Sequence, residues 1–256
     1  MDEEKWIQLF SEHVSKYDLN CEQILLKKEH SLRVMKLAKQ LACECNLSEE
    51  EIKICTLAGL LHDYSRFEQW TKFNTFCDYD SFDHGDRAAQ ILFDEQEIKK
   101  FNVDEKYYDT LRLSIKYHNK FEVACDIQGK NRLFCNIIRD ADKIDIFYIL
   151  GTNKNYFYSD GGKISSKNIE NFMNYKLLNL KYVNNRSEKV LANLACVFDI
   201  NFNWSLRKII ADSSLQNMYE FIEDKNTFYK YFKCVLDYIK KRLCNEGNNM
   251  SRLKNI

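Results

Sequence analysis

The scarcity of helix-breaking residues constrains this chain more than any other feature. Among 256 residues there is no proline, and only seven are glycine. Proline interrupts helices and glycine weakens them, so their scarcity favours long helices. Apolar residues also recur at helical spacing, as at Val34, Ala38 and Leu41, and alternating strand patterns are almost absent. The sequence therefore predicts an all-α fold.

The helical pattern predicts a single domain over residues 1–243. A looser segment at about 151–165 holds three of the glycines, and it joins a core at about 28–150 to C-terminal helices at about 165–243. We expect these helices to pack on the core. The last one carries an apolar stripe at Phe228, Phe232, Val235, Ile239 and Leu243. Residues 244–256 are expected to form a frayed tail.

Charge and composition exclude several classes of partner. The 38 basic side chains balance 38 acidic ones, so no global field attracts nucleic acid or an anionic membrane. The first ten residues are acidic where a secretory signal would be basic, and no run reaches the ~20 apolar residues of a membrane span. We expect a cytoplasmic protein whose anionic substrate, if it has one, is attracted by local charges.

The ten cysteines do not have the spacing of a structural metal site. The only close pair is Cys43 and Cys45, separated by a single residue, whereas zinc knuckles use two. Without a secretory context we expect reduced thiols, most of them serving as small buried hydrophobes.

Two polar residues continue the apolar face of a predicted helix. Ser48 and Glu51 have the spacing of a capping box that begins this helix. Its inner face passes through Cys55 and Gly59, and the same steps then reach His62 and Asp63. Because an unpaired buried carboxylate costs several kcal/mol, this placement needs an explanation.

Four other polar residues lie on inward faces of other predicted helices: His30, His84, His118 and Asp142. For each one alone, a hydrogen-bonded core residue is the more frequent explanation. Taken together, neutral imidazoles and carboxylates suit a divalent transition metal. The fifth histidine, His13, lies on no such face.

The order His30, then His62-Asp63, then Asp142 resembles the HD-domain superfamily of metal-dependent phosphohydrolases, which is all-helical. His84 and His118 resemble the additional ligands of members that hold two metals. The resemblance covers about residues 28–150, and "LLHDYSRFEQ" with a later "DHG" and "HN" looks like bacterial HD proteins of unassigned substrate.

The resemblance implies a ligand set. His30, His62, Asp63 and Asp142 would hold one metal, and His84 and His118 a second, with Asp63 as the bridge. One or two divalent ions are expected per chain, with Mn, Fe, Co, Ni, Zn and Mg all left open. The nucleophile would be a metal-bound hydroxide.

Arg66 and Lys143 are the candidate phosphate contacts. Arg66 follows Asp63 by three residues and can bind two phosphate oxygens, although an ordinary surface arginine is an equal alternative. Lys143 follows Asp142 directly and matches a lysine of the nucleotide-cleaving members. Asp140 and Asp145 would at most orient a histidine. The pair Lys27-Lys28 is expected to be a solvated helix face.

The expected activity is hydrolysis of a phosphoester or phosphoanhydride of a small molecule, with a nucleotide favoured. Two alternatives remain open. One is a di-iron oxygenase, since that branch of the superfamily, such as myo-inositol oxygenase, has the same ligand order. The other is a non-catalytic metal-binding or nucleotide-binding module. The sequence leaves the substrate, the metal and the oligomeric state undecided.

Overall fold

A computed structural model describes residues 3–253, with side chains described through residue 244. All regular structure in this part of the chain is helical and none of it is strand, which confirms the all-α fold. The α-helices are α1 (Glu3–Val14), α2 (Glu22–Glu44), α3 (Glu49–Leu61), α4 (Arg66–Phe73), α5 (His84–Ala89), α6 (Tyr108–Tyr117), α7 (Gly129–Thr152), α8 (Ser166–Met173), α9 (Arg186–Ala195), α10 (Asn203–Ala211), α11 (Ser214–Phe221) and α12 (Lys225–Leu253).

Shorter helical turns connect several of these helices. A π-helical stretch follows α5 at Gln90–Asp94, and the remaining segments are 3₁₀ turns at Asp78–Asp80, Glu97–Phe101, Glu105–Tyr107, Leu180–Tyr182 and Cys196–Asp199.

The chain divides into two compact units, one ending at Asp145 and the other beginning at Ile146. The single domain expected over residues 1–243 stays a prediction. All five histidines of the sequence belong to the first unit.

The capping box at the start of α3 is confirmed. The Ser48 side chain accepts the Glu51 N–H, and the Glu51 carboxylate accepts the Ser48 N–H. The helix ends at Leu61, so His62 and Asp63 lie in a turn before α4, with exposures of 0% and 2%. The backbone N–H of Arg66 donates to the Asp63 carbonyl at 2.9 Å, so α4 begins one turn after the pair.

Helices α2 and α3 approach each other closely at Gly59. A Cβ atom there would lie 2.9 Å from both the Ala38 Cβ and the Val34 carbonyl oxygen. The missing side chain therefore lets the two backbones meet three residues before His62.

Gly85 gives α5 and the end of α6 a similar close approach. An added Cβ would fall inside contact distance of the Asn119 Oδ1 and 2.8 Å from the Lys116 carbonyl oxygen. Helix α5 is capped by Asp83, whose carboxylate accepts the Asp86 N–H at 3.0 Å.

In the second unit, α12 buries Phe228, Phe232, Val235 and Ile239, four of the five stripe residues predicted. Its backbone stays helical to Leu253, past the start of the tail expected at 244–256. The last three residues of that tail lie outside the described part of the chain.

None of the cysteines forms a disulfide in the described structure. Only Cys55 and Cys135 are buried, so the expectation that most are core residues is wrong. Within residues 3–253, no helix combines the length and apolarity that a membrane crossing requires.

Candidate metal centre

Four predicted ligands meet between α2, the turn after α3, and α7. The Nε2 atoms of His30 and His62 face each other at 3.1 Å. The Asp63 Oδ2 lies 3.4 Å from the His30 Nε2 and 3.5 Å from the His62 Nε2. The Asp142 Oδ1 lies 3.1 Å and 3.7 Å from the same two nitrogens. The structure thus brings together the residues assigned to the first metal.

A second group uses the other oxygen of Asp63. The Nε2 atoms of His84 and His118 face each other at 2.9 Å. The Asp63 Oδ1 lies 3.4 Å from the first and 3.6 Å from the second. Asp63 is therefore shared by both groups, in the bridging position that the resemblance implied. That these six residues bind metal stays a prediction.

Backbone carbonyls determine which ring nitrogen carries the proton in two of the histidines. The Nδ1 of His62 donates to the Gly59 carbonyl at 2.8 Å, and the Nδ1 of His118 donates to the Ile115 carbonyl at 2.6 Å. A carbonyl cannot donate, so in the neutral ring Nε2 is a lone-pair acceptor. Both of these lone pairs point into the centre.

Carboxylates orient the other two histidines. The Nδ1 of His30 donates to the Asp145 Oδ2 at 2.6 Å, and Arg33 binds both oxygens of Asp145. The Nδ1 of His84 donates to the Asp78 Oδ2 at 2.7 Å. Asp145 thus orients His30, the kind of role that the sequence analysis considered for it. Asp78 orients His84 in the second group in the same way.

Burial and neighbouring charges shift the pKa values of these groups in opposite directions. Burial lowers the pKa of His30, but its hydrogen bonds to Asp142 and Asp145 outweigh this effect and raise it. Burial, with the nearby Arg66 charge, lowers the pKa of His84 to about 3. A neutral His84 with its proton on Nδ1 presents the Nε2 lone pair to the His118 Nε2, 2.9 Å away.

Asp63 is ionised although it is buried. Burial raises the pKa of its carboxyl, but the Lys27 ammonium and His62 outweigh burial and hold this pKa well below the usual range. The Lys27 Nζ donates to the Asp63 Oδ2 at 2.7 Å.

The donor set fits a divalent cation. Each group directs two imidazole nitrogens and a carboxylate oxygen at a common point. Two lone pairs that face each other repel, so this arrangement is favourable only with a cation or a proton between them. Nitrogen and carboxylate donors together suit Mn, Fe, Co, Ni or Zn better than Mg.

Arg66 lies at the centre but is extensively bonded within the protein. Its guanidinium donates to the Asp63 Oδ1 at 3.4 Å, to the Asp78 Oδ1 at 3.1 Å and to the Phe76 carbonyl at 2.7 Å. It also donates to the Gln69 amide oxygen at 2.5 Å. The alternative of an ordinary surface arginine is excluded, and the phosphate contact stays a prediction.

The other candidates on α7 are placed less directly. Lys143 is buried, and its ammonium lies 3.4 Å from the Arg139 carbonyl one turn earlier on the helix. Its contact with a phosphate stays a prediction. Asp140 is buried as well. His13 lies apart from the six ligands, stacked on the Tyr64 ring at a centroid distance of 3.7 Å.

Sequence reasoning missed four residues of the centre, one of which is Arg33, the partner of Asp145. Lys27 was expected on a solvated face, although its position one helical turn before His30 could have revealed it. Asp78 lies between helices, where no periodicity marks it. Arg139 is buried on α7 and donates to the carbonyls of Tyr117 and Lys120 at 2.8 and 2.6 Å, which ties the end of α6 to α7.

Comparison with protein families agrees with this geometry. Residues 28–146 match the model of the HD domain, close to the predicted 28–150. No curated protein and no solved structure matches the chain.

Proposed function

We propose, from the HD domain that residues 28–146 form, that this chain is a metal-dependent phosphohydrolase. Its substrate would be a phosphoester or phosphoanhydride of a small molecule, and a nucleotide is the favoured class. We keep the cytoplasm as the proposed location, and we propose no nucleic-acid or membrane partner.

The observation that carries the proposal is the pair of histidine groups that share Asp63. His30, His62, Asp63 and Asp142 would hold one divalent cation, and Asp63, His84 and His118 a second. Such cations lower the pKa of water and neutralise charge on phosphoryl oxygens.

The charges of the protein itself favour an anionic substrate once metal is present. Four carboxylates contact the site histidines: Asp63, Asp78, Asp142 and Asp145. Three cationic side chains pair with these carboxylates: Lys27, Arg33 and Arg66. With neutral histidines the balance is one negative charge. Even one divalent cation would reverse its sign, and a positive site attracts phosphate.

The partly exposed residues of the centre support a proposed entrance for the substrate. Lys27, Arg66 and Asp142 have side-chain exposures of 17%, 12% and 14%, whereas the four site histidines are almost fully buried. Two of these three residues are cationic, so an arriving phosphate meets Lys27 and Arg66 before it reaches the histidines.

The test compares the wild type with Asp63→Ala and with Asp109→Ala, a control at an exposed position of α6. We expect elemental analysis to find divalent metal in the wild type, and a phosphate assay with Mn²⁺ to show release from at least one nucleotide. Asp63→Ala should lose both properties because both groups lose a ligand. The control should keep both.

Other outcomes would contradict the proposal in different ways. Wild type without metal, purified from metal-replete cells, would contradict the metal centre. Iron as the dominant metal with iron-dependent oxygen uptake would indicate the oxygenase alternative. Metal without turnover of any phosphate would indicate a non-catalytic binding module.

A further inference from the structure

We propose that Lys27 is an anion-binding residue whose ammonium is held on Asp63 until a divalent cation takes that carboxylate. The inference rests on the proposed function, since the anion it would bind is the phosphate of the substrate. It deepens that function by assigning Lys27 as the residue that exchanges the Asp63 carboxylate for the phosphate.

Lys27 and a cation at the first group would compete for the same oxygen. The Lys27 Nζ donates to the Asp63 Oδ2 at 2.7 Å, and this oxygen is also the one nearest the Nε2 atoms of His30 and His62. An ammonium and a divalent ion on one carboxylate oxygen repel each other strongly at low dielectric. Lys27 would therefore leave Asp63 when a divalent cation occupies the first group.

The released ammonium stays close to the centre. Lys27 lies on α2 one turn before His30, so its backbone is fixed by the same helix that positions a ligand. Its Nζ lies 5.3 Å from the centroid of the Phe76 ring, and the Arg66 guanidinium lies 5.5 Å from the same centroid. Both cations thus lie beside one aromatic ring, and the fixed backbone of Lys27 would keep a released ammonium within reach of it.

An ammonium in that position suits a phosphate oxygen. It offers three donors on a flexible stem, and charge-assisted hydrogen bonds to phosphate are among the strongest that a side chain makes. Metal and phosphate binding would then be coupled through Lys27. The coupling is reciprocal, so each ligand tightens the binding of the other.

The test uses the full chain, stripped with a chelator and titrated calorimetrically with Mn²⁺ and then with inorganic phosphate. In Lys27→Met the competitor for Asp63 is gone, so Mn²⁺ should bind several-fold more tightly. Phosphate should bind the Mn²⁺-loaded variant about tenfold more weakly, the scale of one charge-assisted hydrogen bond. A merely structural role for Lys27 would weaken both equilibria, so the opposite signs are diagnostic.

Two further variants serve as controls. Lys28→Met removes the neighbouring charge on α2 and should change neither equilibrium, since adjacent helical residues point about 100° apart. Lys27→Arg keeps the charge and should restore phosphate binding. Unchanged or uniformly weakened binding in Lys27→Met would overturn the inference, and so would wild type that binds no phosphate.

The same measurements separate this inference from the proposed function. Suppose that Lys27→Met binds Mn²⁺ more tightly and phosphate more weakly, while the wild type hydrolyses no phosphoester or phosphoanhydride. Lys27 is then an anion-binding residue, and the hydrolase proposal fails. If the wild type hydrolyses a nucleotide while phosphate binding ignores Lys27, the inference fails and the hydrolase proposal stands.

Discussion

Each of the four site histidines commits its Nδ1 atom to an acceptor, and the acceptors are of two kinds. His62 and His118 each follow the last residue of a helix and donate to a carbonyl three residues earlier, so the local backbone orients them. His30 and His84 depend instead on the side chains of Asp145 and Asp78. Each group therefore pairs one backbone-oriented ring with one carboxylate-oriented ring.

The fifth histidine provides a stability prediction. Burial is the main cause that lowers the pKa of His13 to about 4, and its Nδ1 has no hydrogen-bond partner among the described residues. Between pH 6.5 and about 4 the unfolded chain binds the proton that the folded protein refuses. The free energy of unfolding should therefore fall across this window as the pH decreases, by about 3 kcal/mol from this group.

Urea unfolding at several pH values, compared with His13→Phe, measures this contribution. The variant also leaves the Tyr64 carbonyl without the 3.1 Å contact to the His13 Nε2, but that cost does not depend on pH. Parallel curves for the two proteins over the window would contradict the prediction.

At the residue scale, the sequence could reveal the six candidate ligands because each occupies an inward position of a helical pattern or its continuation. It could not reveal Asp78, which approaches His84 from a non-periodic segment. Lys27 was assigned to solvent because a lysine pair usually lies there. Only the structure, in which the Lys27 Nζ lies 2.7 Å from the Asp63 Oδ2, shows that this lysine belongs to the centre.

At the scale of elements, two helix–helix contacts are made at glycine residues, and they determine how far apart the facing histidines of each group lie. Gly59 lets α3 approach α2, where His30 is located, and Gly85 lets α5 approach the end of α6, next to His118. The sequence indicated Gly59 as part of an inner face, but it could not show that backbone atoms of the preceding helix, α2, occupy the space of its missing side chain.

These contacts predict that Gly59→Ala and Gly85→Ala each damage one histidine pair. The added methyl group should destabilise the protein by about 1–3 kcal/mol through overpacking and should separate the facing Nε2 atoms. Gly59→Ala should weaken Mn²⁺ binding at the His30 group and Gly85→Ala at the His84 group. Calorimetric titration and denaturant unfolding measure both effects.

The two variants act as controls for each other. If both lose stability and neither changes its affinity for Mn²⁺, the close approaches serve packing only, and the predicted link to the metal centre is wrong.

At the scale of the whole molecule, the candidate ligands come from α2, the turn after α3, α5, the end of α6, and α7. They extend from His30 to Asp142, nearly the full length of the matched HD domain. A bound cation would therefore connect distant parts of the first unit. The all-α class followed from composition and periodicity, whereas the division at Asp145 left no mark in the sequence because it falls inside a continuous helix.

Metal loading should consequently raise thermal stability. With free Mn²⁺ at a hundred times its Kd, linkage predicts about 3 kcal/mol of added stability, which Asp63→Ala should abolish. Scanning calorimetry of stripped and loaded protein measures the shift. If the chain is the single domain predicted from the sequence, we expect one unfolding transition, which shifts to higher temperature as a whole. Two unfolding transitions of which only one shifts would contradict the single domain.

The close approaches at Gly59 and Gly85 also limit how this chemistry could be transferred. A designer who grafted the six candidate ligands onto another helical scaffold would copy every functional group and still lose the centre if a methyl group stood at either contact. The reactivity of the site would then depend on two places where the chain carries no side chain at all.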